Sequence, residues 1–201
     1  MKIIYIARHG ETDANKDMRF QGHTDNPLNA KGRAQADELA ARVKELPLSK
    51  IYASDLTRAV ETATPMAKGH NLKVISNSGF REICFGRWEG LTFKEIKAQW
   101  PSSIDMFLQK PGEVNIEGGE SFQEVQKRAW SAFEEIVEEQ KEDTSIMLVA
   151  HGGIVRVLLC TALGLDLNKI WAFYVDNASL SCIIKWEDSY LLKFHNYVGK
   201  I

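Results

Sequence analysis

Arg8-His9-Gly10 follows directly on the apolar run Ile3-Ile4-Tyr5-Ile6-Ala7, and His151-Gly152-Gly153 follows Ile146-Met147-Leu148-Val149-Ala150. Between them, Ile51-Tyr52-Ala53 leads into Ser54-Asp55-Leu56-Thr57-Arg58. These stretches supply two histidines, two arginines, and glycines that let a ligand approach the backbone. A guanidinium matches phosphate oxygens in a bidentate geometry that lysine cannot reproduce. Arg58 falls in the first turn of an expected helix, where free N–H groups also favour an anion. A carboxylate alone would seldom need two arginines and two histidines, so the set points to a phosphoryl group.

Phosphoryl transfer requires a nucleophile, charge stabilisation and usually an acid for the departing oxygen. A neutral imidazole attacks phosphorus, and the resulting phosphohistidine hydrolyses. Cationic arginines nearby favour that neutral form by raising the cost of imidazolium. The acid should come from a carboxylate in another loop, and Gly79–Gly90 offers Glu82 and Glu89.

The elements that must position these residues are legible as strands and helices in alternation. Lys2–Ala7, Ile51–Ala53, Leu72–Ile75 and Ile146–Ala150 are strand-like runs with little polar alternation, as expected of strands covered on both faces. Ala30–Leu46 carries an apolar stripe closed by Pro47, and a second helix runs from Ser54 or Asp55 through Pro65. Thr92…Glu95 and Ser121…Glu124 are capping boxes, the first for a short helix ending before Pro101, the second for a long one with Val125, Ala129, Phe133, Ile136 and Val137 inward. Ile154–Leu163 is helical, with Gly164 as its stop. Ser179–Trp186 and Tyr190–His195 form a hairpin appended at the end. The expected fold is α/β, a three-layer α/β/α sandwich around a mostly parallel sheet. Ligands bind such sheets at the carboxyl ends of the strands, where all three histidine- and arginine-bearing loops lie.

With 201 residues, one domain is expected over 1–201, and no linker divides it. A net charge of −2 removes any bulk electrostatic case for nucleic acid or an anionic membrane. Cys84, Cys160 and Cys182 are odd in number and lack CxxC spacing, so reduced thiols are expected rather than disulfides or zinc. No run approaches a membrane span and IIYIA is too short for a signal segment, which makes the cytoplasm the expected compartment.

Arg8-His9-Gly10-Glu11-Thr12 resembles the RHGET signature of the histidine phosphatase superfamily, in its phosphoglycerate mutase-like branch. Asn15, Gln21-Gly22, Lys31-Gly32, Ser54–Ala59, Glu82…Gly86-Arg87-Trp88-Glu89-Gly90, Gly118–Ser121 and Ala150–Gly153 continue the match in the family's order. The resemblance implies the phosphoglycerate mutase-like fold and a phosphomonoesterase acting through a phosphohistidine. By that resemblance His9 is the nucleophile, Arg8, Arg58 and His151 surround the phosphate, and Glu82 protonates the leaving oxygen and later activates water. Asn15 and Gln21, with the backbone of Gly22 and Gly152, belong to phosphate or substrate binding, while Glu89 is structural. No metal and no cofactor are implied. The short interval from Glu82 to His151 and the sequence His-Gly-Gly-Ile-Val-Arg resemble the small phosphatases, α-ribazole-5′-phosphate, broad-specificity and phosphoserine-type alike. The Phe85–Gly90 block with the short C-terminal hairpin leans toward the α-ribazole-5′-phosphate phosphatases of cobalamin biosynthesis.

Other readings of the same residues stay open. A phosphoglycerate mutase dependent on 2,3-bisphosphoglycerate would return the phosphoryl group to an organic acceptor, and a non-catalytic module would only bind a phospho-ligand. A metallohydrolase is disfavoured by the absence of HxxxH-type spacing. Arg58 also has Glu61 at i+3, and Arg81 beside Glu82 could make a surface ion pair. His23, His70 and His195 lack a supporting constellation and read as ordinary. Residues 92–120 suit either a lid or plain packing. The expected partner is a small phosphorylated metabolite, with neither nucleic acid nor membrane, and the chain is a monomer or a homodimer.

Overall fold

The computed structural model describes residues 1–199. The strands are β1 (Lys2–Arg8), β2 (Leu48–Ala53), β3 (Val74–Ser76), β4 (Thr144–Ala150), β5 (Leu180–Trp186) and β6 (Ser189–Tyr197). The helices are α1 (Asp13–Lys16), α2 (Ala30–Val43), α3 (Thr57–Gly69), α4 (Phe93–Gln99), α5 (Pro101–Gln109), α6 (Phe122–Glu138) and α7 (Gly152–Ala162). One sheet has the order β3-β2-β4-β1-β5-β6. The first four strands in that order run parallel, β5 pairs antiparallel with β1, and β6 antiparallel with β5.

Alternate residues of the central strands β1, β2 and β4 feed two separate cores. Ile4, Ile6, Ile146, Leu148 and Ala150 face the side covered by α4 to α7, where Phe133, Val137 and Leu158 close over them. Tyr5, Ala7, Ile51, Ala53, Met147 and Val149 face α2 and α3, against Leu39, Val43, Ala63 and Met66. Both faces are buried, which is why the runs read as continuously apolar. The α/β sandwich expected from the sequence is therefore present.

Both predicted capping boxes form: Thr92 with Glu95 opens α4, and Ser121 with Glu124 opens α6. The helix before Pro101 ends as expected, but the chain resumes at once as α5 with that proline in its first turn, where its missing N–H costs no hydrogen bond. In the 92–120 segment Ile96, Ile104, Phe107, Val114 and Ile116 are buried in the core, and Phe107 packs among Phe20, Phe85, Trp88 and Trp171.

The C-terminal hairpin is not an appendage. β5 pairs with β1 along its length, from Lys2 opposite Lys185 to Ala7 opposite Leu180, so the hairpin continues the main sheet. The pairing partner lies at the other end of the sequence, out of reach of any local pattern.

Register sets the site. Arg8 lies opposite Ala150 and Ala53 opposite Val149, so β1, β2 and β4 end side by side. The His9 N–H donates to Ala150 O at 3.0 Å and the Ser54 N–H to Val149 O at 2.9 Å, extending the ladder one residue into each loop. Among the described residues no helix is long and apolar enough to cross a membrane.

Candidate active site

His9 leaves the end of β1 and is 3 % exposed. Its Nδ1 lies 2.7 Å from the carbonyl oxygen of Gly10. A carbonyl only accepts, so Nδ1 carries the proton and Nε2 keeps its lone pair. Burial, then Arg58 and then Arg8, hold the His9 pKa well below the ordinary histidine value, which keeps the ring neutral. The Gly10 N–H donates to Thr62 Oγ1 at 3.0 Å, and that hydroxyl donates to Arg58 O on the same helix. An added Cβ at Gly10 would overlap the carbonyl of Gly32, so only glycine lets the loop after His9 pass so close to α2.

His151 caps the N-terminus of α7 from the end of β4 and is fully buried. Its ring centroid is 5.2 Å from that of His9. Neither of its ring nitrogens has a hydrogen-bond partner among the described residues, and the same holds for Nε of Arg8 and of Arg58. Burial, with Arg58, His9 and Arg8 behind it, depresses the His151 pKa as well. Buried polar atoms are nearly always paired, so these nitrogens are hydrogen-bonding capacity that the protein itself does not use.

The arginines are fixed by backbone carbonyls. Arg58, at the start of α3 and 1 % exposed, donates to Gly22 O at 2.7 Å and Thr24 O at 2.9 Å. Its i+3 neighbour Glu61 instead accepts from the Leu28 N–H, so no helical ion pair neutralises it. Arg8 donates to Val175 O at 2.7 Å. Burial pushes the Arg8 pKa down to about 10, opposed by Glu82, and the group stays cationic at neutral pH. Two guanidiniums facing one carboxylate make the cleft electropositive in a chain of net charge −2.

Glu82 lies on a loop rather than on the sheet. Its Oε1 accepts from its neighbour's N–H at Ile83 (3.0 Å) and its Oε2 from the Gly153 N–H in the first turn of α7 (3.1 Å). Arg81 does not pair with it: that guanidinium holds Asp55 through bonds of 2.8 and 2.6 Å. Glu89 points away and ties down the loop beside it, accepting from the N–H groups of His23, Thr24 and Phe85.

Asn15 and Gln21 complete the cleft. Asn15 Oδ1 accepts from the Thr12 N–H at 3.2 Å and from Asn177 Nδ2 at 3.3 Å, and Gln21 Oε1 accepts from Thr12 Oγ1 at 2.9 Å. The Thr12 N–H can only donate, so the Asn15 NH₂ is turned away from Thr12. Gly22 has φ of +55°, and an added Cβ would overlap Glu89 Oε1, so its carbonyl reaches Arg58 only as glycine. Gly152 begins α7, where free N–H groups carry partial positive charge. Arg8, His9, Asn15, Gln21, Gly22, Arg58 and Glu82 line one cleft of about 200 Å³ together with Met18, Arg19, Phe20 and Phe85. His151 does not line it and meets it only through the neighbouring ring of His9.

Sequence reasoning passed over several supporting residues. His23, read as ordinary, places Nε2 2.9 Å from Glu82 O and 3.7 Å from the Glu120 carboxylate. Asn177 donates to His9 O at 3.0 Å, and Arg156, one turn into α7, is held by Phe173 O beside Trp171. The Ile-Val-Arg that follows His151-Gly152-Gly153 was a signal for Arg156; Asn177 and His23 had none.

The sequence profile of the histidine phosphatase superfamily (branch 1) matches residues 4–197. Phosphoserine phosphatase 1 of Hydrogenobacter thermophilus is 34% identical over 183 residues, covering 91% of this chain and 86% of that one. Probable phosphoglycerate mutase GpmB of Escherichia coli O1:K1 is 32% identical over 191 residues, covering 95% and 88%. The crystal structure of the α-ribazole phosphatase from Shigella flexneri superposes with a TM-score of 0.87 at 26% identity, covering 97% of this chain and 96% of that one. By sequence and by fold alike, the chain belongs to the histidine phosphatase superfamily, branch 1.

Proposed function

We propose that this phosphatase hydrolyses a small phosphomonoester through a phosphohistidine at His9, with no metal ion. One observation carries the reading: a neutral His9, its Nε2 free, sits beside buried and unpartnered nitrogens of His151, Arg8 and Arg58. Phosphate oxygens would occupy those nitrogens and the amides of Asn15 and Gln21. His9 Nε2 attacks phosphorus, the N–P bond forms as the ester P–O bond breaks, and Glu82 gives its proton to the departing oxygen. Water then attacks the phosphohistidine, Glu82 takes its proton, and inorganic phosphate leaves with His9 restored. The guanidiniums stabilise the charge on the equatorial oxygens.

On the leaving-group side, Met18, Phe20 and Phe85 offer apolar contact and Arg19 a cation. Phosphoserine, 3-phosphoglycerate and α-ribazole 5′-phosphate are the esters to compare. The test is phosphate release from that panel in EDTA by wild type and His9→Ala. Release by wild type alone, with an acid-labile phosphoprotein trapped at His9, is expected. Isomerisation stimulated by 2,3-bisphosphoglycerate with little phosphate release would replace hydrolysis by the mutase reaction. Binding without either would make the chain a phospho-ligand-binding protein.

A further inference from the structure

Glu82 has no sheet ladder to hold it. Residues 81–85 follow a single 3₁₀ turn (Ser78–Phe80) and lie outside any helix or strand. The carbonyls of Cys84 and Phe85 accept from the N–H groups of Glu120 and Trp88, and those of Arg81 and Glu82 accept from one side chain on α6. Arg128 Nη1 donates to Gly79 O at 2.9 Å and Arg81 O at 2.8 Å, and Nη2 donates to Glu82 O at 2.9 Å. Nε and Nη2 also grip the two oxygens of Glu120 at 2.7 and 2.8 Å. These five bonds use all five N–H donors of the guanidinium, and Arg128 is only 24% exposed.

Glu120 completes the clamp from the other side by accepting from the Cys84 N–H at 2.8 Å. Burial works against that carboxylate, but Arg128 and the Cys84 N–H outweigh it and hold its pKa below the ordinary value. Close packing allows the arrangement: an added Cβ at Gly79 would crowd Ala132, one turn along α6 from Arg128. The main chain on either side of Glu82 is therefore held by Arg128, by Glu120 and, at Glu82 O, also by His23, while its carboxylate meets the Gly153 N–H and the cleft.

We propose that Arg128 is a positioning residue for the proton-transfer step, acting through Glu82 by setting where its carboxylate stands relative to His9. The proposal rests on the phosphohistidine reading above, with Glu82 as acid. Arg128 does not line the cleft, so phosphate binding is not its task. A fork is required: lysine offers three donors from one point and cannot span three carbonyls and a carboxylate.

Leaving-group dependence separates this role from a merely structural one. An alkoxide needs a proton to depart, whereas 2,4-dinitrophenolate does not. Single-turnover phosphorylation should be measured for Arg128→Met, Arg128→Lys and Glu82→Gln with phosphoserine, or the panel ester that wild type prefers, and with 2,4-dinitrophenyl phosphate. Arg128→Met should slow the alkyl ester about 10²-fold and the aryl ester less than about 5-fold. Arg128→Lys should lie between it and wild type, with inorganic vanadate binding within about 3-fold of wild type for both. In a Glu82→Gln background, adding Arg128→Met should cost less than about 3-fold more on the alkyl ester. Equal slowing of both esters, or full additivity with Glu82→Gln, would overturn the proposal. If the methionine variant does not fold, the lysine variant carries the same two comparisons. A Glu82→Gln enzyme with no selective loss on the alkyl ester would instead refute Glu82 as the acid, a separate result from any at Arg128.

Discussion

Glu82 Oε2 accepts a hydrogen bond from the Gly153 N–H at 3.1 Å, which ties the loop carrying the acidic side chain to the first turn of the helix that begins after His151. Three separated stretches of chain thus meet through hydrogen bonds to main-chain groups: Arg8 and His9 through Val175 O and Ala150 O, Arg58 through Gly22 O, and Glu82 through the Gly153 N–H. The charged groups are held by main chain rather than by one another. That leaves their outward-facing donors unspent for an incoming anion, the condition for electrostatic preorganisation.

Gly153→Ala should damage the reaction more than the fold. An added Cβ would overlap Glu82 Oε1, and the carboxylate would have to leave its seat. The backbone at 153 is helical, so alanine costs no strain there. Turnover of an alkyl phosphate should fall 10- to 100-fold, by a rough misplacement estimate, while the thermal midpoint stays within about 2 °C. Steady-state kinetics and a melting curve on the same preparation check both halves. Unchanged turnover would mean that Glu82 does not need this hydrogen bond.

Arg58→Lys should be nearly as harmful as Arg58→Ala. The guanidinium serves Gly22 O and Thr24 O while keeping Nε unspent, and an ammonium cannot cover those directions from one atom. A loss of about 10²- to 10³-fold in kcat/KM is expected for either variant. Inorganic phosphate or vanadate affinity measured alongside should fall too, since the missing contacts are to the phosphoryl group itself.

Much of this was legible in the sequence because it is local. Ile4 to Ala7 read as a doubly buried strand since each side chain meets a core of its own, and the two capping boxes name their helix starts directly. The histidines and arginines were legible because strand ends must deliver side chains to one rim. What escaped depends on partners far away. Arg128 is one cation among the charged residues of an amphipathic helix until Gly79 to Glu82 fold against it. His23 looks like any loop histidine until its ring meets Glu82 O. The hairpin's place in the sheet is set by β1, whose pattern contains nothing that names its neighbours.

Phosphate release should survive exhaustive chelation. The positive charge a phosphoryl group needs is already covalently present in Arg8 and Arg58, which stay protonated at neutral pH. Turnover in EDTA, after dialysis against chelator, should match untreated enzyme within about 2-fold, by the general scale of residual buffer effects on kcat. A large loss restored by added Mg²⁺, Mn²⁺ or Zn²⁺ would sink the metal-independent mechanism.

Stability should fall as the pH drops below about 6.5, before the carboxylates titrate. His9 and His151 are buried neutral, with pKa values pushed down first by desolvation and then by Arg58, and His195 is lowered as well by its burial. In the unfolded chain each titrates near 6.5. Between that value and the lower folded one, the unfolded state binds more protons, so stability rises with pH there and is fully present above 6.5. The two fully buried histidines carry most of this slope, over the pH range in which they stay neutral in the fold. The thermal midpoint should therefore be flat above about pH 7 and decline from there toward pH 5. Inorganic phosphate should flatten the decline, because its negative charge beside His151 and His9 offsets the field of Arg8 and Arg58, while His195, hydrogen-bonded to Tyr174 O, stays outside the cleft. A His151→Gln variant should likewise lose part of the slope. Melting curves from pH 5 to 8, with and without saturating phosphate, measure this, and a midpoint independent of pH across that range would show that the two histidines are not held neutral.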